Sequence, residues 1–315
     1  MKKLAWLSTS MLMITLLVSS CASGANAPAA SNTEEPPFRV AFVAPSAIND
    51  LAFSQSMYDA LMRIQQEMGT DDFQFAYSEN MFVVDDAEKA IRNYASQGYN
   101  LVIAHGTQYG SFLQKIAPEF PRTSFAWGTT VDTFGLPNVF SYEAAAEEGG
   151  YVNGVLAATL SRSKVIGAVG PIEVGDAKLY IDGFKVGVAA TDPTVHVQVT
   201  YTGSFSDANL ATTAAAAHIL ASADVLTGTA QMVTGPVELA AERHVLWFGT
   251  QSNQTSLAPA IVVASQVYHW EGIIKEMIAL IQGGTLGGKT FRANFVNGGE
   301  IIEFNPDYTL PDEVR

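Results

Sequence analysis

Short apolar runs alternate with amphipathic stretches along the chain, and the first such unit lies between Val40 and Leu61. Val40–Val43 has the length and composition of a buried strand, and residues 51–61 carry apolar positions at the spacing of one helix face. The polar break between them contains Asn49 and Asp50. Parallel α/β sheets bind ligands beyond the carboxyl ends of their strands. The pair therefore either lies at a binding edge or caps the helix without contacting a ligand.

The same alternation continues to about residue 143 and then starts again. A helix rich in small residues at 147–160, suited to close packing, opens the second series. Further strands are predicted at 73–77, 101–104, 123–127, 165–169, 195–201, 225–226, 245–248 and 261–264. Further helices are predicted from Asp85, before Phe120, and at 177–190, 209–221, 235–243 and 270–282. The pattern predicts an α/β protein with two Rossmann-like lobes of doubly wound parallel sheet.

The chain continues with further strands and a helix after the elements that two separate lobes would need. Residues 291–302 are predicted to form a hairpin with Asn297–Gly299 at its turn. We therefore expect an N-terminal lobe of residues 38–143 plus about 264–290, and a C-terminal lobe of 144–263 plus about 291–315. Several crossovers would form a multi-strand hinge, as a clamshell that closes on a ligand requires.

The N-terminus predicts export followed by membrane anchoring. Lys2 and Lys3 precede an apolar stretch, and residues 1–20 have the features of a signal peptide. Cys21 is the only cysteine, and the segment Val18–Cys21 resembles a bacterial lipobox, in which the cysteine becomes the lipidated N-terminus. The alternative is an ordinary signal peptide with a chance cysteine. Residues 21–37 are predicted to be a disordered tether, which would hold the folded part at the extracytoplasmic face of the membrane, in the periplasm or on the cell surface.

Charge and motif content exclude several classes of function. The chain has 31 acidic and 17 basic residues and forms no basic face, so nucleic acid is not expected as a partner. The single cysteine allows no internal disulfide. The five histidines lack metal-ligand spacing, and no nucleophile elbow, zinc-protease motif, Walker loop or dinucleotide fingerprint occurs between a strand and a helix. We expect no enzyme activity, no metal site and no cofactor.

Aromatic and amide side chains near predicted strand ends are the candidates for ligand contacts. A ring offers a flat apolar face to a planar molecule, and an amide offers both donors and acceptors to its edge. For each residue alone, a place in the core or on the surface is the alternative. The candidates in or beside strand-to-helix loops are Tyr109, Trp127, Phe205, Gln231, Gln251 and Trp270. Together they favour a flat small molecule with polar edges.

Four segments, in this order and spacing, resemble a known family. They are NDLAFSQSMY at 49–58, YIDGFKVGV at 180–188, GSFSD at 203–207 and WFGTQSNQ at 247–254. They are similar to the D-D-K-S-F-N-Q-S-A-aromatic, F-x-x-G-F-x-A-G, G-S-F-x-D and I-G-V-D-x-D-Q segments of the BMP (basic membrane protein) lipoproteins. These are purine-nucleoside-type substrate-binding proteins of ABC transporters. The resemblance covers nearly the whole mature chain and implies a type I periplasmic-binding-protein fold.

The resemblance also implies ligand-binding residues. Asn49, Asp50 and Tyr58 stand at the family's polar pair and the aromatic that follows, and Phe205 stands at a phenylalanine that helps to sandwich the base. In its G-V-D segment the family has an aspartate that binds ribose, and this chain has Gln251 there.

Further departures point away from a sugar. Tyr268 replaces a family lysine, and the aspartate that usually ends the fourth strand is missing within Trp127–Thr129. Ala258–Pro259 and Ser265–Trp270 are instead similar to the family's nucleobase-binding branch. The implied ligand is therefore a purine-type nucleobase or a nucleoside.

The function implied by the resemblance is ligand capture for transport. We expect a monomeric, lipid-anchored protein that binds a purine-like molecule between two lobes and delivers it to an ABC permease. A ligand-sensing lipoprotein of the same fold without a transport role is the alternative, because fold alone does not separate the two.

Overall fold

A computed structural model describes residues 36–312. The predicted signal peptide, Cys21 and the predicted tether up to residue 35 lie outside the described residues. The described strands are β1 (Phe38–Val43), β2 (Phe73–Ser78), β3 (Leu101–His105), β4 (Ser124–Gly128), β5 (Val139–Ala144), β6 (Val165–Gly170), β7 (His196–Tyr201), β8 (Val225–Gly228), β9 (Leu246–Gly249), β10 (Val262–Tyr268), β11 (Thr290–Ala293) and β12 (Glu300–Phe304).

Helices follow most of the strands and cover the sheets. They are α1 (Phe53–Met68), α2 (Val84–Ser96), α3 (Gly110–Ile116), α4 (Ala146–Leu160), α5 (Gly175–Thr191), α6 (Ala208–Leu220), α7 (Thr234–Arg243) and α8 (Glu271–Gln282). Short 3₁₀ turns lie at Thr107–Tyr109, Ala117–Glu119 and Thr255–Leu257. No helix within residues 36–312 is long and apolar enough to cross a membrane.

The strands form two six-stranded sheets, each the centre of one lobe. The first sheet has the order β11-β5-β4-β3-β1-β2, and all its strands are parallel. The second has the order β12-β10-β9-β8-β6-β7, in which β12 runs antiparallel to β10 and the other strands are parallel. The prediction of two α/β lobes built on parallel sheets is confirmed.

The chain passes from one sheet to the other after β5, after β10 and after β11. The predicted hairpin over 291–302 is wrong, because β11 pairs with β5 in the first sheet and β12 pairs with β10 in the second. The side chain of Asn297 does close a turn by accepting from the backbone nitrogens of Asn294 and Gly299. The two strands that leave this turn join different lobes. The return crossovers therefore follow β10 at Tyr268 and β11 at Ala293, a few residues later than the expected limits near 264 and 290.

The small residues predicted to favour close packing lie where α4 meets α5. A Cβ atom at Gly154 would lie 2.2 Å from the carbonyl oxygen of Phe184, and one at Gly187 would lie 2.1 Å from that of Tyr151. Real Cβ atoms do not approach backbone oxygens so closely, so only glycine permits this helix–helix distance. The contact fixes the position of α5, whose first turn reaches the functional site.

Candidate functional site

A cleft lies between the two lobes, next to the carboxyl ends of parallel strands from both sheets. Its empty space, including the part open to solvent, is about 400 Å³. The first lobe contributes Pro45, Phe53, Phe82, Gly106, Thr107, Gln108 and Thr129, and the second contributes Asp176, Ala177, Phe205, Ala230, Gln231 and Gln251. Each of these residues lies in the segment or first helical turn that follows a strand, and Phe53 is the first residue of α1.

Three phenylalanines are the aromatic residues that line the cleft. Phe82 and Phe205 come from opposite lobes, and their ring centroids are 6.4 Å apart with planes inclined at 50°. The ring of Phe53 is stacked on the imidazole of His105, with centroids 3.7 Å apart and planes within 7°. Flat rings contributed by both lobes suit a planar ligand.

His105 fixes the position of Phe53 from behind. Its Nε2 atom lies 3.0 Å from the carbonyl oxygen of Phe53, and Nδ1 lies 2.7 Å from the hydroxyl of Tyr142. Because a carbonyl can only accept, Nε2 carries the proton and the Tyr142 hydroxyl donates to Nδ1. Burial lowers the pKa of His105 to about 3, so the ring is neutral at physiological pH. The site thus has a rigid, uncharged support under one of its aromatic walls.

Asp176 is the only ionisable side chain among the lining residues. It lies in the first turn of α5, and its Oδ2 atom accepts from Nε2 of Gln251 at 3.0 Å and from the hydroxyl of Tyr268 at 3.1 Å. Burial raises the pKa of Asp176, and the hydrogen bonds from Gln251, from Tyr268 and from the backbone of the first turn of α5 oppose that rise. Gln251 and Tyr268, two of the positions that depart from the family pattern, therefore share one acceptor.

The nine predicted ligand residues are not all brought together. Phe205, Gln231 and Gln251 line the cleft, whereas Asn49, Asp50, Tyr58, Tyr109, Trp127 and Trp270 do not. Asn49 is exposed. Asp50 accepts from the backbone nitrogens of Ala52, Ser54 and Gln55 and from the hydroxyl of Ser46. Of the two roles considered for this aspartate, the structure shows it holding the first turn of α1, with both carboxylate oxygens engaged.

The other four predicted aromatic residues pack within the first lobe or beside it. The buried Tyr109 donates to the carbonyl of Met81 at 2.8 Å, and the buried Trp270 donates to the hydroxyl of Ser56 at 2.9 Å. The ring of Tyr58 meets those of Phe75 and Tyr77 edge-on.

Trp127 does not line the cleft but contacts a residue that does. Its ring is stacked on Phe134 at 4.7 Å, and its indole nitrogen donates to the carbonyl of Gly106, which lines the cleft.

Several lining residues were not among the candidates. Phe82 looks like an ordinary core or surface position in the sequence, whereas Phe53 stands at the phenylalanine of the D-D-K-S-F-N-Q-S segment and was not chosen from it. Thr107 and Gln108 lie just after a buried strand, and this position indicates a binding loop. Only Tyr109 was chosen as a candidate from that loop. Asp176, the second residue of the helix after β6, had the same positional signal.

The chain shares its family with transport proteins. The family model Bmp, described as ABC transporter substrate-binding protein PnrA-like, matches residues 38–309. A purine-binding protein of Brucella abortus (strain 2308) is 25% identical over 286 residues, which cover 91% of this chain and 80% of that protein. The ABC transporter nucleoside-binding protein BmpA of Lactococcus lactis subsp. cremoris (strain MG1363) is 27% identical over 175 residues, which cover 55% of this chain and 49% of that protein.

Solved structures show the same architecture. A solute-binding protein of an ABC transporter system from Conexibacter woesei superposes with a TM-score of 0.71 at 23% identity, covering 88% of this chain and 92% of that one. The fold is that of the type I periplasmic binding proteins, as the family resemblance implied. ABC substrate-binding proteins act outside the cytoplasm and are in general not enzymes. With the family match spanning nearly all described residues, this chain belongs to the Bmp family of PnrA-like ABC transporter substrate-binding proteins.

Proposed function

We propose that the protein is the lipid-anchored binding component of an ABC importer and captures a purine-type nucleobase or nucleoside between its lobes. The observation that carries this proposal is the composition of the cleft. Phe53 and Phe82 from one lobe and Phe205 from the other line a cleft whose remaining walls carry amides, hydroxyls and one carboxylate. Rings cover the faces of a planar heterocycle, and the polar groups match its edge. Relatives that bind purines or nucleosides support the choice of ligand class.

Binding is coupled to closure in this proposal. Because the lining comes from both lobes, only the closed arrangement makes all the contacts, and a ligand therefore shifts the population towards it. The closed protein, held near the membrane by a lipid on Cys21, would then present its ligand to the permease.

A free nucleobase is proposed to bind at least as well as its nucleoside. Position 251 carries a neutral amide where the family resemblance places a ribose-binding aspartate. Charge-assisted hydrogen bonds contribute ~1.5–3 kcal/mol, against ~0.5–1.5 kcal/mol for neutral ones. At ~1.4 kcal/mol per decade, losing one such bond to the sugar lowers nucleoside affinity roughly tenfold. The aromatic contacts to the base are unaffected.

Isothermal titration calorimetry on the full-length protein in detergent tests both parts of the proposal. Adenine, hypoxanthine, adenosine and inosine are the ligands, and an unrelated sugar is the control. We expect binding of the purines, with each base at least equal to its nucleoside. A hundredfold preference for the nucleosides would overturn the ribose argument, and failure of all four ligands to bind would overturn the purine assignment. Loss of labelled purine uptake in cells lacking this protein would support the transport role.

A further inference from the structure

We propose that Asp176 selects the charge of the ligand, so that the cleft accepts planar rings whose edge donates N–H groups and rejects anionic rings. This inference rests on the proposed function and narrows the ligand class of the same site. The accepted rings are neutral or cationic heterocycles with amino or ring N–H groups, and the rejected ones are heterocycles that have lost a proton.

The first observation is the charge of the side chains that line the cleft. Among its thirteen lining residues, Asp176 carries the one ionisable side chain, and the lining includes no lysine, arginine or histidine. The three phenylalanines in the lining carry no charge, and an aromatic face attracts positive charge and does not compensate a negative one. In a partly desolvated cleft, a second negative charge near Asp176 is strongly unfavourable, because repulsion grows as the effective dielectric constant falls.

The hydrogen bonds around Asp176 are the second observation. Gln251 and Tyr268 both donate to the same oxygen, Oδ2, and neither donates to Oδ1. These donors fix the carboxylate at the first turn of α5. Since they come from the ends of β9 and β10, three separate elements of the second lobe hold one acceptor in place.

Unpartnered acceptors beside Asp176 are the third observation. Because the amide nitrogen of Gln251 donates to the carboxylate, its Oε1 is left as an acceptor. This atom is buried and has no hydrogen-bond partner within residues 36–312, and the same holds for Oε1 of Gln231. A buried acceptor without a donor is destabilising until a donor reaches it. Both residues line the cleft with Asp176, so a ligand that brings N–H groups would satisfy them, whereas an edge of oxygen atoms would not.

Three purines that differ in charge and in their hydrogen-bonding edges test the inference. Adenine is neutral and carries an amino group, hypoxanthine is a neutral oxopurine with N–H groups, and urate is an anionic oxopurine at neutral pH. Calorimetry on the full-length protein in detergent compares wild type with Asp176→Asn. The matched control is Asp182→Asn, which changes a carboxylate on the same helix that is 44% exposed and lies outside the cleft.

We expect wild type to bind adenine and hypoxanthine at least a hundredfold more tightly than urate. Asp176→Asn should weaken adenine about tenfold and strengthen urate, because it replaces a charge-assisted acceptor with a neutral amide and removes the repulsion. Asp182→Asn should leave all three affinities unchanged.

The outcomes that overturn the inference are distinct from those that overturn the proposed function. If wild type binds urate as tightly as hypoxanthine, or if Asp176→Asn leaves their ratio unchanged, charge selection is wrong although purine binding stands. If no purine binds to wild type, the proposed function fails and this inference fails with it. The wild-type ratio of hypoxanthine to urate is itself a test and does not depend on whether Asp176→Asn folds.

Discussion

The hydroxyl of Ser252 donates to the backbone carbonyl of Ala52 at 2.7 Å across 200 positions of sequence. Ser252 follows β9 in the second lobe, and Ala52 directly precedes α1 in the first. The amide of Gln254 adds a second bond of this kind, to the carbonyl of Leu51 at 3.2 Å. The segment that resembles the family's first ligand-binding motif is thus held by the opposite lobe, one residue before Phe53 enters the cleft.

Ser252→Ala is expected to weaken closure. The variant leaves a buried carbonyl short of one donor, and a net hydrogen bond contributes ~0.5–1.5 kcal/mol. Purine affinity should therefore fall about fivefold. In small-angle scattering, ligand should lower the radius of gyration of wild type, and the variant should need a higher ligand concentration for the same decrease. Ser256→Ala, at an exposed position of the following turn, is the control. Equal ligand dependence in wild type and Ser252→Ala would show that this bond does not contribute to closure.

Phe205→Ala tests the aromatic wall. The side chain is only partly buried, so its removal should be tolerated by the fold. Stacking of a base on an aromatic side chain contributes ~1–3 kcal/mol, so affinity for adenine should fall by at least fivefold, and by a hundredfold at the upper end. The control is Phe304→Ala, which removes an exposed ring from β12 outside the cleft. Unchanged calorimetric affinity in Phe205→Ala would place the ligand elsewhere.

The sequence predicts the helices and strands well, because the spacing of apolar residues and the residues that end each element are local properties. It predicts strand ends as binding loops because parallel sheets place all carboxyl ends at one edge. It does not predict which side chain of a loop faces the cleft. Tyr109 packs into the core while its neighbours Thr107 and Gln108 line the site, and a ring at a loop suits either environment.

The partner of a strand is also a non-local property. The apolar pattern of 291–302 is compatible with a hairpin and with two strands that join different sheets. Asp50 shows the same limit for a polar residue. An aspartate before a helix can bind a ligand or the backbone, and only the folded loop reveals that three backbone nitrogens occupy it.

Glu300→Gln is expected to remove a pH dependence of stability. Glu300 is fully buried on β12 and accepts from the backbone nitrogen of Gly149 at 2.8 Å and from Nε2 of Gln266 at 2.6 Å. Burial raises the pKa of Glu300 from 4.5 to about 8. Between these values the unfolded chain has lost a proton that the folded chain keeps. The contribution of Glu300 to the free energy of unfolding should therefore be fully present below about pH 4.5. It should be lost as the pH rises towards the folded-state pKa, by up to ~1.4 kcal/mol per pH unit.

The glutamine variant keeps the size of this side chain and does not ionise. Urea denaturation of both proteins at several pH values from about 5 to about 8 should show the stability of Glu300→Gln, relative to wild type, rising across the range. Comparing the two proteins cancels the other titrating groups. Parallel stability profiles would contradict a raised pKa at this position.

Cys21→Ser tests the anchor. Cys21 is the only thiol and follows Val18-Ser19-Ser20, so lipidation at this position would be lost in the variant. We expect the protein to leave the membrane fraction while the melting temperature of the soluble form and its adenine affinity stay as in wild type. Ser23→Ala, two residues beyond the lipobox, should stay with the membrane. Continued membrane association of Cys21→Ser would refute lipid anchoring at this cysteine.

The last prediction concerns the sugar, and it uses the hydrogen bond between Gln251 and Asp176. Gln251→Glu alone would place a second carboxylate 3.0 Å from Oδ2 of Asp176, where the amide nitrogen now donates. Repulsion would raise the pKa of one of the two groups and weaken binding of every purine. Combining Gln251→Glu with Asp176→Asn exchanges the two groups at constant size, because the introduced amide can donate to the introduced carboxylate. The double variant therefore keeps one negative charge but moves it to the position where the resemblance places a ribose-binding aspartate.

Adenosine affinity, relative to adenine, should rise about tenfold over wild type if position 251 faces the sugar. Calorimetry with adenine and adenosine on wild type, the two single variants and the double variant measures this ratio. An unchanged ratio in a double variant that still binds adenine would mean that position 251 does not contact the sugar.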